Sequence, residues 1–261
     1  MTISNAYPAG TFTGQPAAAP ATARIRAQAL ADTVGTLRNG EQLLLTLVIP
    51  LGLLVALTWF DFGGTAGASS IDTVAPGVIA LAVMSTSFAS LAIATGFDRR
   101  SGALRLLGTT PLTRGNLVFA RGLSVAAIEV IQLVLIVATA AALGWRPGGG
   151  LLWALVLIVL GTAAFATWAF VLAGTLRAEA TLAVANGIYL VLMLAGGVVI
   201  PASSVPSGWA TVVTYLPSGA LAGGLRDVLT TSGTAPWTAC AVLAVWAVGG
   251  FLVAARTFRW D

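Results

Sequence analysis

The residues of this chain that could do chemistry are few and stand mostly alone. All 13 basic residues are arginine, the acids number 9 in 261 positions, histidine is absent, and Cys240 is the single cysteine. Histidine metal sites, histidine general bases and Schiff-base lysines are therefore excluded, and one cysteine cannot close an internal disulfide. A phosphate loop of the form G-x-x-x-x-G-K-[ST] cannot exist without lysine. A metal-dependent enzyme acting on lipid or prenyl groups would need paired acids. Here Asp61 and Asp72 lie 11 apart, and no D-x-x-x-D or D-x-x-D cluster occurs. What remains is charge that steers, docks or anchors. Three groupings carry it: Asp98, Arg99, Arg100, Arg105 and Arg114 with Leu104 in one polar segment; Glu129 with Gln132; and the adjacent Arg226 and Asp227 downstream of Pro217.

The elements that must position these groups are membrane helices. Apolar residues make up 57% of the chain and charged ones 8%, against roughly 25% charged in a soluble domain. The net charge of +4 is too small and dispersed to suggest nucleic acid. A span needs about 20 mostly apolar residues to cross about 30 Å of hydrocarbon. Six segments qualify: Leu43–Phe60, Pro76–Gly96, Leu117–Leu143, Leu151–Ala173, Thr181–Ile200 and Trp237–Ala255. The expected fold is all-α, one six-span domain over residues 43–261. Only Arg146 and Arg226 fall on one side of these spans; every other arginine falls on the other. The positive-inside rule makes the arginine-rich side, and both termini, cytoplasmic. Residues 1–21 carry no charge and lack the basic start and apolar run of a signal peptide, so a disordered cytoplasmic tail is expected there.

Residues 22–42 have the pattern of an interfacial helix. Ala27, Leu30, Val34 and Leu37 share one stripe flanked by Arg26 and Arg38, while Arg24, Gln28, Asp32 and Thr36 point away from it. Ile25 falls off the stripe, and a solvated linker is the plainer alternative. In residues 201–236, Pro201, Pro206 and Pro217 break an apolar stretch into pieces too short to span. Trp209 and Tyr215 suit the interfacial belt. Short helices dipping back into the outer leaflet fit best, with an extracellular loop as the alternative. Ser101 to Leu107 has the length of a two-turn helix ended by Gly108 and Pro111, and such a helix carrying Asp98, Arg99, Arg100 and Arg105 suits docking on a soluble partner. The alternative is a positive-inside loop with no partner. Glu129, near the middle of a span, must face protein or water. Either it lines a cavity that attracts cations, or it is a buried hydrogen-bonded group paired with Asn186. Arg226 and Asp227 are either an interfacial pair or part of an outer gate. The small residues Gly161, Ala163, Ala164, Ala166 and Gly174 suit close helix packing.

These residues carry a resemblance. Asp98 to Leu107, followed by Thr110-Pro111-Leu112-Thr113-Arg114, resembles the cytoplasmic coupling segment of ABC-2-type transporter permeases, although Asp98 stands where that family more often has Glu. Leu37-Arg38-Asn39-Gly40-Glu41-Gln42 before LLLTLVIP is similar to the start of the first span in the actinobacterial drug- and antibiotic-export branch, typified by daunorubicin-exporter permeases. Pro206, Trp209, Leu216-Pro217 and Leu225-Arg226 match that family's re-entrant region, so the likeness covers residues 22–255. The resemblance implies a non-enzymatic plasma-membrane (inner-membrane) permease subunit of an exporter for a drug, lipid, polyketide or polysaccharide. It implies a second permease, identical or homologous, and separate ATP-binding subunits that hold ATP and Mg. Coupling would run through residues 97–116 and the interfacial helix. A secondary transporter, the remaining alternative, predicts matching broken helices in two halves, and no such internal symmetry is present.

Overall fold

The computed structural model of the chain describes residues 18–60, 70–199, 206–230 and 235–257, apart from the side chains of Glu41, Leu45 and Arg114. Most of the expected tail, the Asp61 loop, the start of the 201–236 segment and Arg259 lie outside those residues.

Helix α1 (Ala21–Arg38) ends at Asn39, whose Oδ1 accepts from the Gln42 N–H at 3.3 Å and so caps the helix that follows. That helix begins as α2 (Gly40–Leu43), passes through a π turn (Leu44–Val48) and continues as α3 (Ile49–Trp59). The π turn has a local cause in Pro50, which has no N–H to return to the Thr46 carbonyl four residues earlier.

Among the described residues, five helices are long and apolar enough to cross a membrane: Ser70–Arg100, Gly115–Ala142, Leu151–Thr175, Ala178–Ala195 and Trp237–Thr257. The first of the six expected spans falls on a shorter apolar helix, Thr46–Trp59. The second begins at Ser70, so Pro76 lies inside the helix rather than at its start. It comprises α4 (Ser70–Met84), a second π turn (Ser85–Ser90) and α5 (Leu91–Arg100). Every residue from Val74 to Ala89 is buried, so this helix is the axis around which the others pack. An all-round apolar pattern is what such a position demands.

The short α6 (Ala103–Gly108) leads into α7 (Arg114–Ala142), then α8 (Leu151–Thr175) and α9 (Ala178–Ala195). Helix α9 stops before the expected Ile200, because Gly197 takes a left-handed φ of 79°. Two short helices follow, α10 (Ser207–Tyr215) and α11 (Pro217–Thr230), and then α12 (Trp237–Thr257). Helix α11 is buried along most of its length against α4, α8 and α12. Small residues allow this approach. A Cβ on Gly161 would stand 2.9 Å from Leu221, and one on Gly224 2.9 Å from Ala239. Helices α8 and α12 are joined by Trp168 and Trp246, whose rings meet edge to face at 5.7 Å, and the Trp168 indole N–H donates to the Trp246 carbonyl at 3.2 Å.

Candidate functional site

The segment between the second and third spans divides into an anchored part and a presented part. Asp98, Arg99 and Arg100 form the last turn of α5 rather than belonging to the short helix, from which Gly102, at φ 78°, separates them. Asp98 is ion-paired with Arg121, whose second amino group donates to Thr95 Oγ1 at 2.9 Å. Arg99 donates to the carbonyls of Ala173 at 2.9 Å and Leu176 at 2.7 Å. These carbonyls lie at the end of α8, where the helix leaves acceptors without partners and favours positive charge. Arg100 pairs with Glu179 at the exposed start of α9, a solvated contact of little energetic weight. Leu104 is only 2% exposed and is spent on the chain's own packing, whereas Leu106 is 72% exposed and Arg105 is exposed beside it. The turn from Thr109 to Thr113 is mostly exposed, and Thr113 Oγ1 caps α7 by accepting from the Asn116 N–H at 3.3 Å. The Arg114 side chain lies outside the described residues.

Helix α1 turns its polar face inward. Ala29 is buried, Thr33 Oγ1 donates to Ser124 Oγ at 3.0 Å, and Gln28 donates to Asp32 Oδ1 at 2.8 Å. Leu30 is 65% exposed on the opposite face with Arg26; Val34 and Leu37 are half-buried and Arg38 is exposed. Gln28, Asp32 and Thr36, expected on the outer side, are therefore half-buried on the side that packs against protein, while Val34 and Leu37 of the apolar stripe are half-buried as well. A helical wheel separates polar from apolar faces but cannot say which one meets protein when the other meets lipid. Ile25, off the apolar stripe, belongs to the packed face.

Between α1 and the arginine-rich halves of the first three spans lies a cavity of about 320 Å³, lined by Asp32, Thr36, Gln42, Ser90, Asp98 and Arg121 among others. Burial pushes the Asp32 carboxyl above its ordinary range, and the nearby Arg121 guanidinium only partly offsets this. Arg121, which the sequence suggests is an ordinary loop-side charge, is in fact buried within α7.

Gln132 lies above this cavity, deeper among the spans. It is 1% exposed, accepts from Thr86 Oγ1 at 2.7 Å, and donates to the Thr46 carbonyl. The carbonyl deprived of a donor by Pro50 thus receives one from the third span. Glu129 is also buried, but it faces α8, where Thr162 Oγ1 donates to its Oε2 at 2.7 Å. Asn186 is exposed on α9, so the expected pairing with Glu129 is replaced by Thr162, and Glu129, Gln132 and Asn186 do not share one cavity. Sequence reasoning missed Thr46, Thr86, Thr162 and Arg121. The available signals were Pro50 four residues after Thr46 and an arginine about one turn inside the span expected at Leu117–Leu143.

At the opposite end, Arg226 donates to the carbonyls of Thr73 at 3.3 Å, Gly197 at 2.7 Å and Val198. It ties the start of α4 and the end of α9 to α11. Gly77 makes room for it: a Cβ there would stand 2.6 Å from the Val198 carbonyl and 2.8 Å from an Arg226 amino group. Asp227 is exposed, and Pro217 is buried. A second cavity, of about 400 Å³ and wholly apolar, lies among Phe88, Phe165, Trp168, Leu192, Pro217 and Trp246.

Residues 41–256 match the sequence model of a family described as ABC-2 family transporter protein. No curated protein matches the sequence.

Proposed function

The chain belongs to the ABC-2 family of transporter proteins, and from that premise we propose that it is the permease subunit of an ATP-driven exporter, coupled to a separate ATP-binding subunit through residues 97–116. Without lysine it can form no phosphate loop of its own. ATP and Mg therefore belong to the partner. The positive-inside rule supports a cytoplasmic arginine-rich end, and the family resemblance supports a plasma (inner) membrane location. A second permease, identical or homologous, completes the path.

The observation that carries the coupling reading is the division of labour in the segment. Arg105, Leu106 and the Thr109–Thr113 turn offer side chains to a partner, while Asp98, Arg99 and Leu104 fasten the segment to α7, α8 and the body of the bundle. A push on the presented part is passed through the anchored part to the second, third and fourth spans. A hydrophobic or amphipathic cargo (a drug or antibiotic, a lipid or a polyketide) is supported by the wholly apolar cavity, whose volume falls in the range of about 300–1,000 Å³ usual for small-molecule sites.

Co-purification in detergent with candidate ATP-binding subunits, followed by ATP hydrolysis, tests this. Arg105→Ala with Leu106→Ala should lose the ATPase from the complex. Asp98→Asn should keep the ATPase at wild-type stoichiometry but disconnect hydrolysis from transport. A correctly folded chain that retains no ATP-binding subunit from any candidate would sink the reading.

A further inference from the structure

We propose that the polar crevice beneath α1 binds the cationic N–H group of an amphipathic amine, with Asp32 as its counter-ion. The inference rests on the transport reading and deepens it by naming the head group of a cargo. Three observations carry it. The first is a charge imbalance: among the described residues, Asp32 from α1 and Asp98 from α5 face a single arginine, Arg121 from α7. Arg121 spends its two amino groups on Asp98 and Thr95. The crevice is left with one carboxylate in excess.

The second is an open valence. Asp32 Oδ1 accepts from Gln28, while Oδ2 is buried without a hydrogen-bond partner among the described residues. Arg121, itself only 6% exposed, leaves its Nε in the same condition. Buried polar atoms are costly when unmatched, and a bound cationic N–H group with its water shell supplies a donor to Oδ2 and an acceptor to Nε. A bare anion would answer Nε but meet two carboxylates.

The third is the shape and composition of the space. Its volume of about 320 Å³ suits a ring system or short chain bearing one amine. Its walls alternate polar Thr36, Gln42 and Ser90 with apolar Leu91, Val125 and Ile128, as an amphipathic guest requires. Ala31, Gly35 and Asn39 are exposed and line its rim, and a Cβ on Gly35 would meet nothing within 4 Å. Gly35 therefore leaves room at the rim for a larger side chain.

The test uses the full chain in nanodiscs of zwitterionic lipid, without nucleotide, and the fluorescence polarisation of 9-aminoacridine, an amphipathic cation at neutral pH. Acridine, uncharged there, serves as competitor. Binding should saturate, and acridine should compete at least about tenfold more weakly, as the loss of a charge-assisted contact predicts. Asp32→Asn keeps the Gln28 hydrogen bond and should weaken binding about tenfold or more, with Asp32→Glu restoring part of it. Gly35→Leu should also weaken binding while raising thermal stability, since leucine favours the helix and meets open space at the rim. Leu30→Ala, on the outer face of the same helix, should change nothing. Unsaturable wild-type binding, equal competition by acridine, or wild-type affinity in Asp32→Asn would each overturn the proposal. Because no ATP-binding subunit takes part, failure here and failure of the coupling reading are separate results.

Discussion

The sharpest prediction concerns Gln132 and Pro50. Gln132→Leu removes two buried hydrogen bonds, one from Thr86 Oγ1 at 2.7 Å and one to the Thr46 carbonyl. Thr86 can turn its hydroxyl back to its own helix, so that loss is small. The Thr46 carbonyl cannot recover in the same way, because residue 50 is proline and offers no N–H. An unsatisfied buried carbonyl costs about 1–3 kcal/mol, while side-chain hydrogen bonds between membrane helices average about 0.6 kcal/mol and reach about 1.7. The expected destabilisation is about 2 kcal/mol. Pro50→Ala supplies the missing N–H, so the same Gln132→Leu change made in that background should cost about 1 kcal/mol less. The four proteins of this cycle are compared by unfolding in mixed micelles, followed by tryptophan fluorescence. Additivity within about 0.5 kcal/mol, the scatter of independent sites, would refute the idea that Gln132 replaces the donor lost at Pro50.

Other expectations follow from the same geometry. Asp32 has a raised pKa because burial penalises its charged form, with Arg121 and Asp98 the charged groups facing it. That cost is present above its folded pKa and is lifted as pH falls through it. Asp32→Asn should therefore raise the melting temperature at neutral pH, and the gain should shrink on acidification; a gain unchanged down to the ordinary carboxylate range would contradict this. Arg226→Ala removes donors from three carbonyls and should destabilise by about 3 kcal/mol. Arg226→Lys should recover only part of that, because an ammonium lacks the planar fork; full recovery in thermal melts would argue against the three-way tie. Gly77→Ala places a Cβ 2.6 Å from the Val198 carbonyl and should cost about 1–3 kcal/mol, read in the same melts.

Apolar length and arginine placement were legible in the sequence because they are properties of single segments. The long helices follow from runs such as Leu151–Thr175, whereas the break after α9 at Gly197 was not legible and the expected span runs on to Ile200. The partners of buried polar groups were not legible, because they are properties of how segments meet. Glu129 and Thr162 are 33 residues apart, and Gln132 and Thr46 are 86 apart; nothing in the spacing of either segment names the other. Asn186, chosen as a partner by polarity and expected depth, proves to be on an exposed face of α9. The orientation of α1 failed for a related reason. In water, the polar face of a helix meets solvent by default. At a membrane surface the apolar face has its own solvent, and the polar face is free to pack on protein.

That orientation bears on how the coupling segment would act. Asp98 was expected to reach a partner subunit, yet it is held by Arg121 inside the same chain, and the same arginine faces Asp32 on α1. Two carboxylates, one on α5 and one on α1, thus share one guanidinium in the third span. The sum of their attractions limits how far α5 and α1 can part without leaving a buried charge unmatched, a cost of several kcal/mol. A partner that pushes on Arg105 and Leu106 would therefore move α5 and α1 together rather than separately, or would have to exchange Asp98 for Asp32 at Arg121. An amine held by Asp32 raises the cost of that exchange when Asp98 leaves, because its positive charge already neutralises Asp32 and repels Arg121. Cargo in the crevice and thrust on the segment would in this way act on one ion pair. The Asp98→Asn variant tests this link: it frees Arg121 for Asp32 and removes the carboxylate in excess, so amine binding should weaken as the link between hydrolysis and transport is lost.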